Sequence, residues 1–259
     1  TMFGLGQRTG IDLPQEVTGI MPSEEWKIRN YKQKWYAGET ISVGIGQGAV
    51  ATSPIQLARA IAAIASGGVM VRPHVAFPTD LPANLLPTTN VPSEIKIPID
   101  PKNWQIITDA MANVPTPLGT AGSAQLQGID FAGKTGSAQT ISNMAKARIA
   151  NGKSRFKDNA WFVGVTPRRS PELVVAVLFE GGEHGQFAAR LASQIIKAYV
   201  EKQRRLPNKM AKADEKVDIG AVWNSPDPDG EGDSLHGGHF MVQLNKSRAP
   251  LAIAAPGVH

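Results

Sequence analysis

The chain has 259 residues, 42% hydrophobic and 19% charged, a balance that fits a globular protein and excludes disordered and fibrous classes. Cysteine is absent, which removes disulfide scaffolds, cysteine nucleophiles and cysteine-ligated zinc and leaves the redox compartment open. The formal net charge is +5; residues 206–259 carry −2, so the body before them carries +7 and suits anionic partners such as a carboxylate substrate, nucleic acid or a membrane surface.

In chain order, residues 1 to about 50 are punctuated by Gly4, Gly6, Gly10, Pro14, Gly19 and Pro22 and read as loop with little periodicity. Gly44-Ile45-Gly46-Gln47-Gly48 then leads into a helix over 55–66, with Ser53 as N-cap, Pro54 at the first helical position and Gly67-Gly68 as its stop. Prolines at 73, 78, 82, 87, 92, 98 and 101 predict a surface crossing or edge ribbon rather than a central strand. Asp100 and Pro101 open a second helix over 101–113, whose stripe is Trp104, Ile107, Met111 and Val114. Strands are expected at 131–140, 160–165 and 172–179, the last two joined by a hairpin turn over Pro167 to Pro171. A third helix over 187–200 presents Phe187, Leu191, Ile195 and Ala198 on one face. Beyond Pro207 the composition shifts to Pro, Gly, Asp and Lys, so 1–205 is expected to be the folded domain and 206–259 a disordered tail. The longest purely apolar run, Leu173 to Phe179, is far below the ~20 residues that span a bilayer. Thr1-Met2-Phe3-Gly4 opens no signal peptide, so any targeting element is expected to have been removed or never present.

Two chemistries compete for one motif. Gly128-Ile129-Asp130-Phe131-Ala132-Gly133-Lys134-Thr135 fits the G-x-x-x-x-G-K-[ST] phosphate loop of a nucleotide hydrolase. The flanks oppose it: Ser123 to Gln127 is too polar for the buried strand that must precede such a loop, and Gly136, Ser137, Thr140 and Ile141 favour extended chain where a helix must follow. Lys134-Thr135-Gly136 also reads as the K-T-G triplet of penicillin-recognising serine acyl-transferases. There a lysine supplies charge for a carboxylate, a threonine supplies a hydroxyl donor, and a glycine lets the strand approach the acyl group. The next backbone N–H can then stabilise a tetrahedral oxyanion.

The surrounding segments carry a resemblance. Tyr36-Ala37-Gly38-Glu39-Thr40-Ile41-Ser42-Val43-Gly44-Ile45-Gly46-Gln47-Gly48, Ala51-Thr52-Ser53-Pro54-Ile55-Gln56-Leu57-Ala58-Arg59, Thr9-Gly10-Ile11-Asp12-Leu13-Pro14, Lys134-Thr135-Gly136-Ser137-Ala138-Gln139 and Asp158-Asn159-Ala160-Trp161-Phe162-Val163 together resemble the class B penicillin-binding proteins. Gly46-Gln47-Gly48 and Trp35-Tyr36 favour the elongation-type D,D-transpeptidases, and the likeness runs in register from about Thr1 to Glu201. It implies an α+β fold of the penicillin-binding-protein transpeptidase and β-lactamase type, an antiparallel sheet with packed helices, and peptidoglycan cross-linking through a serine acyl-enzyme. It also implies that Lys134 and Thr135 bind the substrate or penicillin carboxylate, that Gly136 gives clearance, that Ser137 lends its backbone N–H to the oxyanion hole and its hydroxyl to the carboxylate, and that Gln139 lies on the same strand as a lesser contact. Expected partners are peptidoglycan stem peptides, β-lactam antibiotics and membrane proteins of an elongation complex including a glycosyltransferase. No cofactor and no metal are implied. The implied location is the extracytoplasmic, periplasmic face of the cytoplasmic membrane, on a single-pass anchor outside this chain.

The family's nucleophile lies in S-x-x-K, followed by S-x-N, and both should precede this stretch. S-x-N does not occur. Ser93-Glu94-Ile95-Lys96 sits between Pro92 and Pro98, which forbid the helix that would put Ser and Lys on one face, and Ser154-Arg155-Phe156-Lys157 follows Lys134 in the wrong order. The chain is therefore expected to be the carboxy-terminal part of a transpeptidase domain, without its nucleophile and inactive alone. A non-catalytic penicillin-sensing module is the alternative from another class. Trp26 to Tyr36 interleaves bases with aromatics in the manner of a single-strand nucleic-acid platform, but reads more simply as packed aromatics with solvated bases, so no nucleic acid is expected. His236-Gly237-Gly238-His239, with His259, lacks any carboxylate pattern for a metal. Glu180 to Gly185, including Glu183 and His184, is explained by a glycine-requiring turn, with substrate contact as the competing role.

Overall fold

The computed structural model describes residues 1–76, 90–140 and 157–205, with the backbone of 238–240. Ser154 to Phe156, most of the tail and the side chains of His236, His239 and His259 lie outside the described residues.

Helices α1 (Glu24–Tyr31) and α2 (Ala37–Gly44) occupy the region expected to be loop. Local chemistry accounts for both. Ser23 accepts a hydrogen bond from the Trp26 N–H, and Glu24 and Glu25 face the positive end of the α1 dipole. In α2 the Glu39 carboxylate accepts from the Tyr36 N–H at 2.8 Å and from Lys27 Nζ. Those two donors, Lys27 first, hold Glu39 below its usual carboxylate range. Helix α3 (Pro54–Ala65) is capped as expected: Ser53 accepts from the Gln56 N–H, and Gln56 reaches back to the Ser53 N–H.

A two-stranded antiparallel ribbon pairs β1 (Val69–Val71), just before Pro73, with β2 (Glu94–Lys96), between Pro92 and Pro98; Pro78, Pro82 and Pro87 of the proline-rich segment lie outside the described residues. Helix α4 (Pro101–Ala112) starts at Asp100, but its buried face is Trp104, Thr108 and Met111, while Ile107 is 39% exposed. Thr108 can replace isoleucine there because its hydroxyl donates to the Trp104 carbonyl at 2.9 Å and so enters the core satisfied.

The main sheet runs in the order β3 (Ala132–Ala138), β4 (Asn159–Thr166), β5 (Leu173–Phe179), β6 (Gly238–Phe240), all antiparallel. Of the tail expected to be disordered, these last three residues pair with Val177 to Phe179. Helix α5 (Gly185–Arg205) covers one face, where Phe162, Val175 and Val177 meet Ala188, Ala192 and Ile196. Helix α3 covers the other, where Val163, Val165, Val174 and Ala176 meet Ala58, Ala62 and Ala65. Cover on both faces explains why β4 and β5 read as continuous apolar runs instead of alternating ones. The α5 contact face is shifted from the expected one: Phe187 and Ala198 are exposed, and small residues at 188, 189 and 192 face the sheet. Alanines let the helix axis approach the strands, and bulky residues would hold it off.

The Thr9 to Pro14 stretch fixes the amino-terminal loop. Glu16 accepts from the Thr9 N–H and hydroxyl, both at 2.6 Å, and from the Gly10 N–H at 3.1 Å. Asp12 accepts from the Val75 and Ala76 N–H groups at 2.6 and 2.9 Å. Burial works to raise the Asp12 pKa, but backbone hydrogen bonds, those of Ala76 and Val75 first, together with the nearby His74 outweigh it and hold the carboxyl below its usual range. A carboxyl depressed in the folded state stabilises fully above its unfolded pKa, about 4, and that contribution is lost as pH falls through the lower folded value. Asp12→Asn should therefore lower the melting temperature at neutral pH, with the gap to wild type closing below about pH 4. A gap that stays constant to pH 3 would show that the charge plays no part.

Candidate active site

Lys134, Thr135, Gly136 and Ser137 lie within β3, which excludes the phosphate-loop reading: a phosphate cradle needs its Lys and Thr at the start of a helix, and here they are paired with Val163 and Phe162 of β4. Gln139 is one residue past the end of β3 and exposed. Ser93 immediately precedes β2 and Lys96 ends it, so extended chain replaces the helical presentation an S-x-x-K nucleophile needs.

Strand β3 is an edge of the sheet, and its outer side is held by side chains. Lys134 Nζ donates to the Thr135 carbonyl at 2.7 Å. Gln47 Nε2 donates to the Ser137 carbonyl at 2.9 Å across 90 positions of sequence. Gln47 is aimed by Gly46 and Gly48, whose φ angles of 75° and 73° favour residues without a Cβ. The Thr120 and Thr135 hydroxyls are 2.8 Å apart. From the sheet side, the first residue of α5 presses on the triplet: a Cβ on Gly185 would lie 2.9 Å from the Gly136 nitrogen, the Gly136 oxygen and Thr135 Cβ. Gln47, Thr120 and Gly185 are the contacts that motif matching missed. Gly46-Gln47-Gly48 was visible as punctuation and Gly185 as the end of a glycine-requiring turn, while Thr120 follows Pro115, Pro117 and Gly119, residues that favour a turn.

Glu183 and His184 behave as turn residues. Glu183 has a φ of 57° and donates its N–H to the Asp158 carbonyl at 2.8 Å, while the His184 ring stacks on Phe187. In the basic aromatic stretch, Lys27 is buried and ion-paired with Glu39, Lys27 and Lys34 lie over the Tyr36 ring, and Trp35 Nε1 donates to Thr40 at 2.8 Å. These contacts tie α1 to α2, while Tyr31 and Tyr36 stay exposed. A cavity of about 640 Å³ lies near the β4–β5 turn, at the far end of β4 from Ser137. Arg168 and Arg169 on its wall are both bonded to Asp109. No group of His, Asp or Glu among the described residues could hold a metal ion.

Residues 1–201 match the family model described as the penicillin binding protein transpeptidase domain. The chain belongs to the penicillin-binding protein transpeptidase family. Among curated relatives, a peptidoglycan D,D-transpeptidase MrdA from Acinetobacter baumannii is 39% identical over 209 residues, covering 79% of this chain and 31% of that protein. Among solved structures, PBP2 of Pseudomonas aeruginosa in complex with WCK 5153 superposes with a TM-score of 0.64 at 35% identity, covering 76% of this chain and 42% of that one. PBP2 of Helicobacter pylori in its complex with MreC gives a TM-score of 0.62 at 27% identity, covering 78% and 34%. The chain thus spans about a third of the length of the MrdA relative it matches. Its α+β architecture, helices on an antiparallel sheet, is that of the penicillin-binding-protein transpeptidase fold.

Proposed function

We propose that the chain is the carboxy-terminal part of an elongation-type peptidoglycan D,D-transpeptidase and supplies the K-T-G wall of its active site. The observation that carries this reading is the K-T-G triplet on an edge strand of a transpeptidase-family fold. Lys134 and Thr135 bind the terminal carboxylate of a stem peptide or of a penicillin, Gly136 leaves room for the acyl group, and Gln139 borders the same strand end. Ser137 contributes its backbone N–H to the oxyanion and its hydroxyl to the carboxylate. In an antiparallel strand a residue's N–H and C=O point the same way. The Gln47 contact on the Ser137 carbonyl therefore supports an outward-facing Ser137 N–H, as an oxyanion donor requires.

The reaction proceeds through a serine carried on an upstream segment. Its Oγ attacks the carbonyl of the D-Ala-D-Ala bond, and its proton passes by way of a neighbouring base to the departing D-Ala amine as the C–N bond breaks; the amine of a second stem peptide then attacks the acyl-serine, the C–Oγ bond breaks, and a proton of that amine returns through the base to Oγ. β-Lactams acylate the same serine. No helix among the described residues is long and apolar enough to cross a membrane. The anchor lies on the upstream segment, with this domain on the periplasmic side of the cytoplasmic membrane. The protein's partners are membrane proteins of an elongation complex, a glycosyltransferase among them; support for protein partners of this kind comes from the H. pylori PBP2–MreC complex and from a peptidoglycan synthase complex that coordinates polymerization and crosslinking, both among the structural relatives.

Covalent labelling tests the reading. The separate 259-residue chain should form no adduct with a fluorescent penicillin. The full-length protein should be labelled, and peptide mapping should place the label upstream of Thr1. An adduct on Ser93 or Ser154 of the separate chain, or no label on the full-length protein, would overturn it.

A further inference from the structure

We propose that Thr120 is a positioning residue for the K-T-G strand, one that orients the Thr135 hydroxyl toward an anionic ligand; this rests on the transpeptidase reading above. The two hydroxyl oxygens are 2.8 Å apart, and the geometry permits either to donate. A hydroxyl has one proton and two acceptor sites. Thr135 can serve a carboxylate only by giving that proton to it, so with a ligand bound the proton between the two threonines must come from Thr120. The chain is then Thr120 to Thr135 to anion. A donor behind Thr135 polarises its O–H and fixes the rotor in the direction that meets the ligand.

The turn that carries Thr120 is built to hold it still. On one side the Gly119 N–H donates to the Thr116 carbonyl at 2.8 Å, and on the other the Ala121 N–H donates to the Val114 carbonyl at 3.0 Å. A methyl group on Gly119 would collide with the Asn113 and Val114 carbonyl oxygens, so the turn closes onto the end of α4 with no slack. Ala121 is fully buried in the core shared with α5. Thr120 itself is exposed, so an exposed hydroxyl stands on a backbone pinned at both neighbours. Thr135 is confined from the opposite side, where a Gly185 Cβ would come within 2.9 Å of Thr135 Cβ. The exposed position also makes Thr120 a poor candidate for a packing role, since an isosteric valine there disturbs no core.

The test uses the full-length protein and the second-order rate of acylation by a fluorescent penicillin. Thr120→Val should lower the rate about three- to tenfold, the loss expected for one hydrogen bond. Thr120→Ser, which keeps the hydroxyl, should restore it to within about twofold of wild type. If Thr120 acts through Thr135, the Thr120→Val/Thr135→Val double variant should be no slower than Thr135→Val alone. A Thr120→Val rate unchanged from wild type, a serine variant as slow as the valine, or single effects that multiply in the double variant would each overturn the proposal. Lys134→Ala separates the two levels: if it slows labelling while Thr120→Val does not, Thr120 alone loses its role. If the wild-type protein takes no label, the transpeptidase reading falls and the Thr120 role falls with it.

Discussion

Lys134→Ala in the full-length protein is expected to slow acylation by penicillin about ten- to a hundredfold while leaving the melting temperature nearly unchanged. The size follows from the contact proposed: a hydrogen bond to a charged group contributes about 1.5–3 kcal/mol, and each 1.4 kcal/mol is a factor of ten in rate. The small effect on stability follows from where the side chain stands. Lys134 is exposed and donates to the carbonyl of the adjacent Thr135, a local contact that water can replace. Lys134→Arg keeps the charge on a wider, planar group that does not match the lysine's point contact, so it should recover only part of the rate. Acylation kinetics together with thermal denaturation separate the two effects. A rate unchanged in Lys134→Ala would remove the residue from the site, and a rate lost together with a large drop in melting temperature would assign it to the fold.

Strands β4 and β5 were legible because they carry two independent signals, apolar runs and turn chemistry. Leu173 to Phe179 and Asn159 to Thr166 are joined by a Pro- and Ser-containing turn, and they pair in the register that such a hairpin predicts. Helices α3 and α4 were legible from their starts, where Ser53-Pro54 and Asp100-Pro101 combine a cap with a proline at the first helical position. Each helix face was right in part. In α5 Leu191 and Ile195 pack against the core at its margin, but Phe187 is exposed and close approach to the sheet puts Ala188, Ala189 and Ala192 at the centre; in α4 Trp104 and Met111 are buried as expected, and a self-satisfied Thr108 takes the place of Ile107. Hydrophobicity ranks side chains by size and polarity, whereas a packed layer selects by shape. Helices α1 and α2 were missed because they are short and almost nothing in them is buried. Only Lys27 is, so there was no periodic stripe to find.

The site was legible to the extent that it is local. Lys134 to Ser137 form one short motif whose residue types follow from carboxylate and oxyanion chemistry, and the structure sets all four on an open strand edge. The groups that hold this strand come from 15 positions away at Thr120 and 90 positions away at Gln47. No spacing rule reaches that far, because which loop returns to which strand is decided by the packing of the whole domain.

Gly185→Ala is expected to destabilise the 259-residue chain by about 1–3 kcal/mol, the usual cost of forcing a group into a packed site. In the full-length protein it should also slow penicillin acylation. The added methyl would lie 2.9 Å from three atoms of the K-T-G strand, two of them backbone, so no side-chain rotation can make room. Either the start of α5 withdraws or β3 moves outward. Withdrawal separates Gly185 from Gly136 and loosens the layer formed by Ala188 and Ala192. Outward movement displaces Thr135 and Ser137 from their contacts with Thr120 and Gln47. Gly38→Ala in α2 is the matched control: nothing lies within 4 Å of its added methyl, and alanine in a helix is favoured over glycine by about 1 kcal/mol at most, so that variant should be as stable as wild type or slightly more so. Chemical denaturation of both variants measures the difference. A Gly185→Ala protein as stable as Gly38→Ala would mean that α5 and the K-T-G strand do not meet as closely as described, and the account of how this strand is positioned would fail with it.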